Sequence, residues 1–312
     1  MKCTIQFKED FSSDEKDEVE YDQDVSTSKS RSFDDSAVRC IIHHIAKAII
    51  NKTVKNEKFQ QKFRGNNIRL EYIDSMNCDA DNTVTSSATI RLGIHLLEDM
   101  WIICHDVYNS ESFVKSIYLS KDSNATDGLV NSFTFEEDTA TEKIFEHIID
   151  SDSLGDSLDF ISFDQAYKAF EITVKFVFLH ECGHVYLNHR KTNVYEEEKL
   201  ADKFAEELLK EEVIGNLDLE KSTIEGIIIA LAIILMHEDF SLAQDHPWAI
   251  ERILDAFNIY ENCIDDEFTK FSYELIQHIV IKKKCCVAFP QLDSNKYIET
   301  ITEFFNELPE HI

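Results

Sequence analysis

The chain has 312 residues, and its hydrophobic fraction of 43% is enough to build the core of one large domain or two modest ones. Its 60 acidic and 31 basic residues give a net charge of −29, and such a surface repels nucleic-acid phosphates and anionic membranes. Nucleic-acid binding is therefore not expected as the main function. With only 3 prolines and 7 glycines, the composition favours a mainly helical protein, because sandwiches and barrels need many turn residues.

The cysteines and the first residues predict a cytoplasmic protein. The 8 cysteines are scattered, without a CxxC pair or a regular framework, which indicates reduced thiols. Residues 1–10 contain no apolar signal core, so secretion is not expected. The longest apolar run, from Ile224 to Met236, is shorter than the roughly 20 residues that span a bilayer, and it predicts a buried helix. No membrane association is expected.

The N-terminal part of the sequence predicts a weakly ordered segment followed by one domain. Residues 9–24 hold nine acids and one lysine, so the segment 1–33 cannot bury much apolar surface. Order is expected from about residue 34, and residues 34–312 are predicted to form a single domain. A polar, irregular stretch near 109–160 predicts an insertion or long loops within that domain.

The first predicted element is a helix over 37–50, where the apolar residues have helical spacing. Two strands follow, at 67–73 and 83–94, of which the second alternates between two faces. A helix follows over 94–108, and from 162 to 259 the apolar spacing predicts one helix after another. The C-terminal stretch 266–312 is also expected to be helical. The predicted fold class is therefore α+β, mainly helical, with a small sheet. The second strand is the candidate for pairing with an extended substrate.

A long, largely buried helix is predicted around the stretch FVFLHECGHVYLNH. It begins with a capping box, in which Ser162 accepts from the backbone and Gln165 reaches back. Apolar residues then recur at helical spacing, which places His180, Glu181 and His184 of an H-E-x-x-H motif on a helix rather than in a loop. This motif requires a helical context, whereas a chance match would usually fall on an exposed or loop segment.

The two histidines of the motif are candidate metal ligands. On a helix, residues four apart point the same way at a separation of about 6 Å, so His180 and His184 can bind one Zn²⁺ through ring nitrogens. Glu181 would then lie beside the metal, where it can take a proton from a zinc-bound water and pass it to a leaving amine. Gly183 costs helix stability, about 1 kcal/mol, but its bare backbone lets another element pack close to the metal.

A catalytic zinc needs a third protein ligand. In the metzincin arrangement a histidine follows the second motif histidine by six residues. That position is Arg190 here, and His189 is one residue short of it. The metzincin arrangement is therefore rejected, and we interpret His189 as a residue at the end of the helix.

A second helix, EEEKLADKFAEELL, offers a better third ligand. Glu198 is the candidate, with Glu196 and Glu197 as the nearest alternatives. Asp202, one turn later, could accept the N–H of a ligand histidine and fix its tautomer. The small side chain of Ala201 would let the two helices approach closely. Without the preceding motif, this stretch would be interpreted as an ordinary charged, solvated helix face.

A third stretch, HPWAIERI, completes the set of candidates. His246 precedes Pro247, which can start a helix at its first position, and Arg252 follows six residues after the histidine. Near a zinc ion, a histidine or an arginine could stabilise the oxyanion that forms when water attacks a carbonyl. The alternative is a capped helix with a surface arginine.

Together, HECGH, EKLAD and HPWAIERI resemble the motifs of the gluzincin class of zinc metallopeptidases. Their order and spacing look most like the phage-exclusion Lit peptidase family, and more distantly like ImmA/IrrE-like regulators and HtpX-like membrane peptidases. The resemblance covers about residues 165–255. It implies a zincin-like domain in which His180, His184 and Glu198 bind Zn²⁺ and Glu181 is the general base.

By the same resemblance, Asp202 would support a ligand, and His246 and Arg252 match the His-Pro and Arg positions of the family and are further catalytic candidates. The implied function is a soluble zinc endopeptidase that cleaves an intracellular protein, in the setting of phage defence. An alternative from a different class is a non-proteolytic regulator or protein-binding module that keeps the zincin scaffold. The oligomeric state stays open.

Overall fold

The computed structural model of the chain describes residues 4–7, 34–73, 75–84, 87–109, 159–190, 192–237, 246–282 and 303. Within these ranges the chain forms a small sheet with helices packed against it. In chain order the elements are β1 (Thr4–Phe7), α1 (Asp34–Val54), α2 (Glu57–Lys62), β2 (Asn67–Ile73), β3 (Asp79–Val84), β4 (Ser87–Gly93), α3 (Ile94–Asn109), α4 (Asp159–Tyr186), α5 (Val194–Val213), α6 (Leu217–His237), α7 (Ala249–Ile259), a short 3-10 helix (Glu261–Cys263) and α8 (Asp266–Lys282).

The sheet has four strands in the order β1-β2-β4-β3. β1, β2 and β4 run parallel, and β3 runs antiparallel to β4. In the centre, Leu70 pairs with Ile90, and these two side chains are buried together with Ile68 and Leu92, which alternate onto the same face. Helices α3 and α4 contact β4, so the sheet and the helices share one hydrophobic core.

The strand predicted at 67–73 is confirmed as β2, whereas the single strand predicted at 83–94 is wrong. β3 ends at Val84 and β4 begins at Ser87, so the stretch belongs to two strands. In the sequence, the alternation that indicates a strand runs through the whole stretch, so it gave no sign that two strands meet there. β4 lies between β2 and β3 and cannot pair with a substrate, while β3 has a strand on one side only within the described part of the sheet.

Helix α4 packs against α3, α5 and α6. Its buried side chains include Phe170, Phe176 and Phe178, as expected for a helix that has neighbours on several sides. α6 approaches α4 closely at Gly226, where an added Cβ would lie 2.6 Å from the Cβ of Ile172. Contacts on several sides give the C-terminal end of α4 a defined position.

Two predicted helix starts are wrong. α4 begins at Asp159, three residues before Ser162, so the capping box of Ser162 and Gln165 does not form its start. α7 begins at Ala249, two residues after Pro247. Periodic apolar spacing shows that a helix exists, but where it begins depends on local contacts that the spacing does not report.

The predicted fold class is confirmed, because the described residues form a mainly helical α+β fold. α6 also confirms the predicted buried helix, since nearly all of its side chains between Ile224 and Leu235 are buried. None of the helices in the described ranges is long and apolar enough to cross a membrane.

Parts of the predicted organisation lie outside the described residues. β1 lies within the segment 1–33, which was expected to be weakly ordered, and residues 8–33 are not described. Of the predicted insertion near 109–160, only its first residue and its last two are described. α8 confirms a helix at the start of 266–312. The division into an N-terminal segment and a single domain over 34–312 stays a prediction.

Candidate active site

The candidate residues lie together at the C-terminal end of α4, where α5 packs against it and α7 packs against α5. They are His180, Glu181 and His184 on α4, Glu198 and Asp202 on α5, Arg252 on α7, and His246 just before α7.

Helices α4 and α5 are in near contact at Gly183 and Ala201. A Cβ added to Gly183 would lie 3.0 Å from the Cα and 3.3 Å from the Cβ of Ala201. Ala201 is fully buried, as is Ala205 one turn further along α5. The close approach expected from these small residues is therefore present, and it brings short side chains of α5 within reach of the histidines on α4.

His180, His184 and Glu198 form a compact group, which we call the His–Glu cluster. The Nε2 atom of His180 lies 3.1 Å from Nε2 of His184 and 3.2 Å from Oε2 of Glu198. His184 Nε2 lies 3.4 Å from the other carboxylate oxygen, Oε1. Tetrahedral zinc has bonds of about 2.0–2.1 Å to nitrogen and oxygen ligands, which places those ligands about 3.3 Å apart. The spacing and the donor types of the His–Glu cluster thus fit a zinc ion.

Glu196 and Glu197, the two alternative candidates for the third ligand, have other surroundings. Glu197 Oε1 accepts from the backbone N–H of Arg190 at 3.3 Å and from the hydroxyl of Thr192 at 3.2 Å. Glu196 is exposed. Of these three neighbouring carboxylates, it is Glu198 that faces the two imidazoles.

A buried hydrogen-bonded network links His180 to Asp202 and Arg252. The Nδ1 atom of His180 lies 2.8 Å from Oδ1 of Asp202, and Arg252 donates to both oxygens of that carboxylate, at 2.6 and 2.7 Å. All three residues are buried. Because the carboxylate only accepts, His180 carries a proton on Nδ1 and directs Nε2 into the His–Glu cluster. Arg252 offsets the charge that Asp202 would otherwise bury alone.

The electrostatics of the His–Glu cluster favour an anionic carboxylate beside a neutral ring. Burial alone would raise the pKa of Glu198, but its hydrogen bond to His180 and the charges of His180 and Arg252 hold that pKa well below its usual range. Burial and the charge of His180 lower the pKa of His184 to about 4. A metal ligand must be deprotonated, and these two shifts act in that direction. His180 differs: burial lowers its pKa, but its hydrogen bonds to Asp202 and Glu198 outweigh burial and raise that pKa to about 10, so a metal would have to displace a proton from this ring.

Glu181 lies beside the His–Glu cluster without belonging to it. Its exposed fraction is 5%. Burial raises the pKa of Glu181 to about 7, with the charges of Glu198 and Asp79 adding to the rise and that of His180 opposing it. A carboxyl with a pKa near 7 can both accept and return a proton at neutral pH.

The start of β3 lies next to this carboxylate. Helix α4 contacts β3. The charge of Asp79 raises the pKa of Glu181, and the charge of Glu181 adds to the effect of burial in raising the pKa of Cys78. The start of β3, which is an edge strand of the described sheet, is therefore adjacent to the candidate site.

Two further histidines border the His–Glu cluster. His246 is 58% exposed, and its Nδ1 atom lies 3.7 Å from Glu198 Oε1. His189 lies behind His184, with its Nδ1 atom 2.9 Å from Nδ1 of that residue. The sequence predicted that His246 could lie near the metal but did not predict the contact of His189, because it placed His189 only at the helix end. The available signal was Asn188, a residue type that readily ends a helix in the left-handed conformation.

Comparison with known families assigns the chain to a class of protein. The model of the family described as peptidase U49 matches residues 90–272, which is more than half of the chain and includes the whole candidate site. The class is therefore that of the peptidases, whose substrates are proteins or peptides. Within that class the chain belongs to the peptidase U49 family. No curated protein and no solved structure matches the chain significantly.

Proposed function

We propose that this peptidase is a zinc-dependent endopeptidase, with His180, His184 and Glu198 as the metal ligands. One observation carries the proposal: ring nitrogens and a carboxylate from two helices converge at 3.1–3.4 Å. Without a metal, a proton on His180 offsets the buried carboxylate of Glu198, whereas a divalent cation between the three groups would be coordinated by all of them at once. The membership of a peptidase family supplies the reaction class.

Glu181 acts as the general base and acid in this proposal. A zinc ion in the His–Glu cluster would polarise the scissile carbonyl and acidify the attacking water. Glu181 accepts the proton of that water and returns it to the amine of the leaving peptide. Its burial supports this role, because a desolvated carboxylate has a proton affinity suited to shuttling near neutral pH.

His246 and Arg252 take different parts in the proposal. His246 is exposed at the edge of the His–Glu cluster, so it can donate a hydrogen bond to the oxyanion of an arriving substrate. Arg252 is buried, and its guanidinium binds both oxygens of Asp202. We therefore assign Arg252 the task of holding Asp202 against His180, in place of the oxyanion contact that the sequence suggested.

An extended substrate would pair with β3. Its backbone groups on the side away from β4 have no strand partner within the described sheet, and β3 contacts the helix that carries Glu181. Addition of a peptide to an open strand fixes the backbone through hydrogen bonds and presents alternate side chains to the protein. This assignment replaces the strand at 83–94.

The finer family assignment also belongs to this proposal. A third ligand from a second helix, 14 residues after the second histidine, is the pattern that led to the gluzincin resemblance, and the structure brings that residue to the histidines. Among the relatives suggested by the motifs, the Lit peptidases agree with the family match. We extend the proposal accordingly to cleavage of an intracellular protein in phage defence.

The proposal is tested with a mixture of peptides from a digested proteome, analysed for new termini by mass spectrometry. New termini are expected with the protein alone, should disappear with 1,10-phenanthroline, and should return when zinc is added back. Cleavage that resists the chelator would contradict the metal mechanism. Stoichiometric zinc without any cleavage would instead favour the non-proteolytic regulator.

A further inference from the structure

A tight turn at the end of α4 determines where His189 lies. Asn188 has a positive φ of 55°. The backbone N–H of His189 donates to the carbonyl of His184 at 3.0 Å, and that of Asn188 donates to Val185 at 3.3 Å. This pair of bonds around a left-handed residue is the Schellman arrangement, which folds the chain back over the last helical turn.

The turn brings the ring of His189 against the ring of His184. Their Nδ1 atoms are 2.9 Å apart, and the ring planes meet at 74°. The Nδ1 atom of His184 is turned away from His180 and Glu198, because the Nε2 atom of the same ring points to them. His189 is therefore placed as a partner of a ligand and not as a ligand.

We propose that His189 is a positioning residue that accepts the Nδ1 proton of His184 and so directs the Nε2 lone pair of His184 into the His–Glu cluster. The inference rests on the proposed zinc site. A neutral imidazole has one nitrogen that donates and one that accepts. When His184 binds a metal through Nε2, its Nδ1 carries the proton, and the nitrogen of His189 at 2.9 Å is the acceptor.

The two metal-binding histidines then have separate supports from separate elements. His180 is oriented by Asp202 on α5, and His184 is oriented by His189 in the turn after α4. A hydrogen-bonded partner fixes the tautomer and the ring angle of a ligand histidine, and its loss typically weakens metal binding 10–100-fold. Asn188 thus acts on the metal site indirectly, because its turn positions His189, which in turn orients His184.

A matched pair of substitutions separates hydrogen bonding from packing. In His189→Asn the side-chain oxygen occupies the place of Nδ1 and still accepts, whereas His189→Leu has a similar shape and no acceptor. The zinc dissociation constant is measured by competition with a fluorescent chelator, and thermal unfolding is followed without metal. His237→Leu, which removes a distant exposed histidine paired with Asp99, is the control.

We expect His189→Leu to weaken zinc binding by a factor of about 10–100 with little change in the unfolding temperature of the metal-free protein. His189→Asn and the His237 control should stay within about threefold of the parent. Equal zinc affinity for the parent and His189→Leu would overturn the inference, and so would an equal loss in His189→Asn. A parent that takes up no zinc would overturn the proposed metal site, and this inference with it.

The turn offers a second, independent test. Asn188→Gly keeps a residue that adopts positive φ freely, whereas Asn188→Val places a β-branched residue there and displaces the following ring. We expect Asn188→Val to weaken zinc binding as His189→Leu does, and Asn188→Gly to preserve it. Normal zinc affinity in Asn188→Val would contradict the link between the turn and the ligand.

Discussion

Replacing Glu181 by glutamine is expected to lower the rate of peptide cleavage by a factor on the order of 10²–10⁴, the usual contribution of a positioned proton-transfer group. Zinc binding should persist, because Glu181 lies beside the His–Glu cluster and is not one of its three members. Glutamine has nearly the same size but cannot accept the proton of the attacking water. The measurement is kcat on a peptide from the cleaved set, together with zinc content.

The control for this variant is Glu207→Gln. Glu207 is an exposed residue on α5, and its replacement removes the same single negative charge as Glu181→Gln. Its kcat should match that of the parent. Parental activity in Glu181→Gln would show that another group moves the proton. Loss of zinc from Glu181→Gln would mean that Glu181 binds the metal itself.

Replacing Glu198 by glutamine is expected to weaken zinc binding by more than about a hundredfold, since loss of a ligand's hydrogen-bond partner alone costs 10–100-fold. The amide keeps an oxygen near the two imidazoles but removes the negative charge that faces the cation. Chelator competition gives the affinity, and cleavage should fall with it at limiting zinc. His180 and His184 remain in place, so the variant isolates the contribution of the carboxylate.

Glu196→Gln and Glu197→Gln are the matched controls for Glu198→Gln, because all three positions lie in the first turns of α5. Both should bind zinc like the parent, since Glu196 is exposed and Glu197 accepts from the loop before the helix. A loss of zinc in either control with normal binding in Glu198→Gln would place the third ligand one or two residues earlier.

Local spacing was enough to predict the convergence of side chains in the His–Glu cluster. Residues four apart on a helix share a face, so the positions of His180 and His184 needed only the prediction that α4 is helical. The small residues Gly183 and Ala201 indicated that a second helix could come close, and a Cβ added to Gly183 would lie only 3.0 Å from the Cα of Ala201. Glu198 was favoured over Glu196 and Glu197 because it shares a helix face with Ala201 and Asp202.

Contacts between distant segments were not predictable in the same way. The partner of Arg252 is Asp202, 50 residues earlier, and no periodicity links an arginine on α7 to a carboxylate on α5. The pairing depends on how α5 and α7 pack, which is a property of the whole core. The sequence therefore suggested a role at the oxyanion, and the structure shows a buried ion pair.

The order of the strands in the sheet could not be predicted from the sequence either. Alternating side chains marked the stretch 83–94 as extended, but strand pairing is set by the fold and not by alternation. β3 starts with Asp79, Ala80 and Asp81, which are weak strand formers, so the edge strand was not recognised as a separate element. The turn after α4 was hard to predict for a similar reason. The direction of the chain there depends on one residue in the left-handed conformation, Asn188, and a single asparagine in a sequence is a weak indication of such a turn.

X-ray absorption at the zinc edge of the purified, zinc-loaded protein tests the central assignment most directly. The account predicts one zinc per chain with two histidine nitrogens at about 2.0–2.1 Å, a carboxylate oxygen at about 2.0–2.2 Å, and no sulfur. In Glu198→Gln at limiting zinc, this signature should be lost. A sulfur neighbour at about 2.3 Å would show that a cysteine such as Cys78 or Cys182 holds the metal, and it would contradict the assignment of the His–Glu cluster.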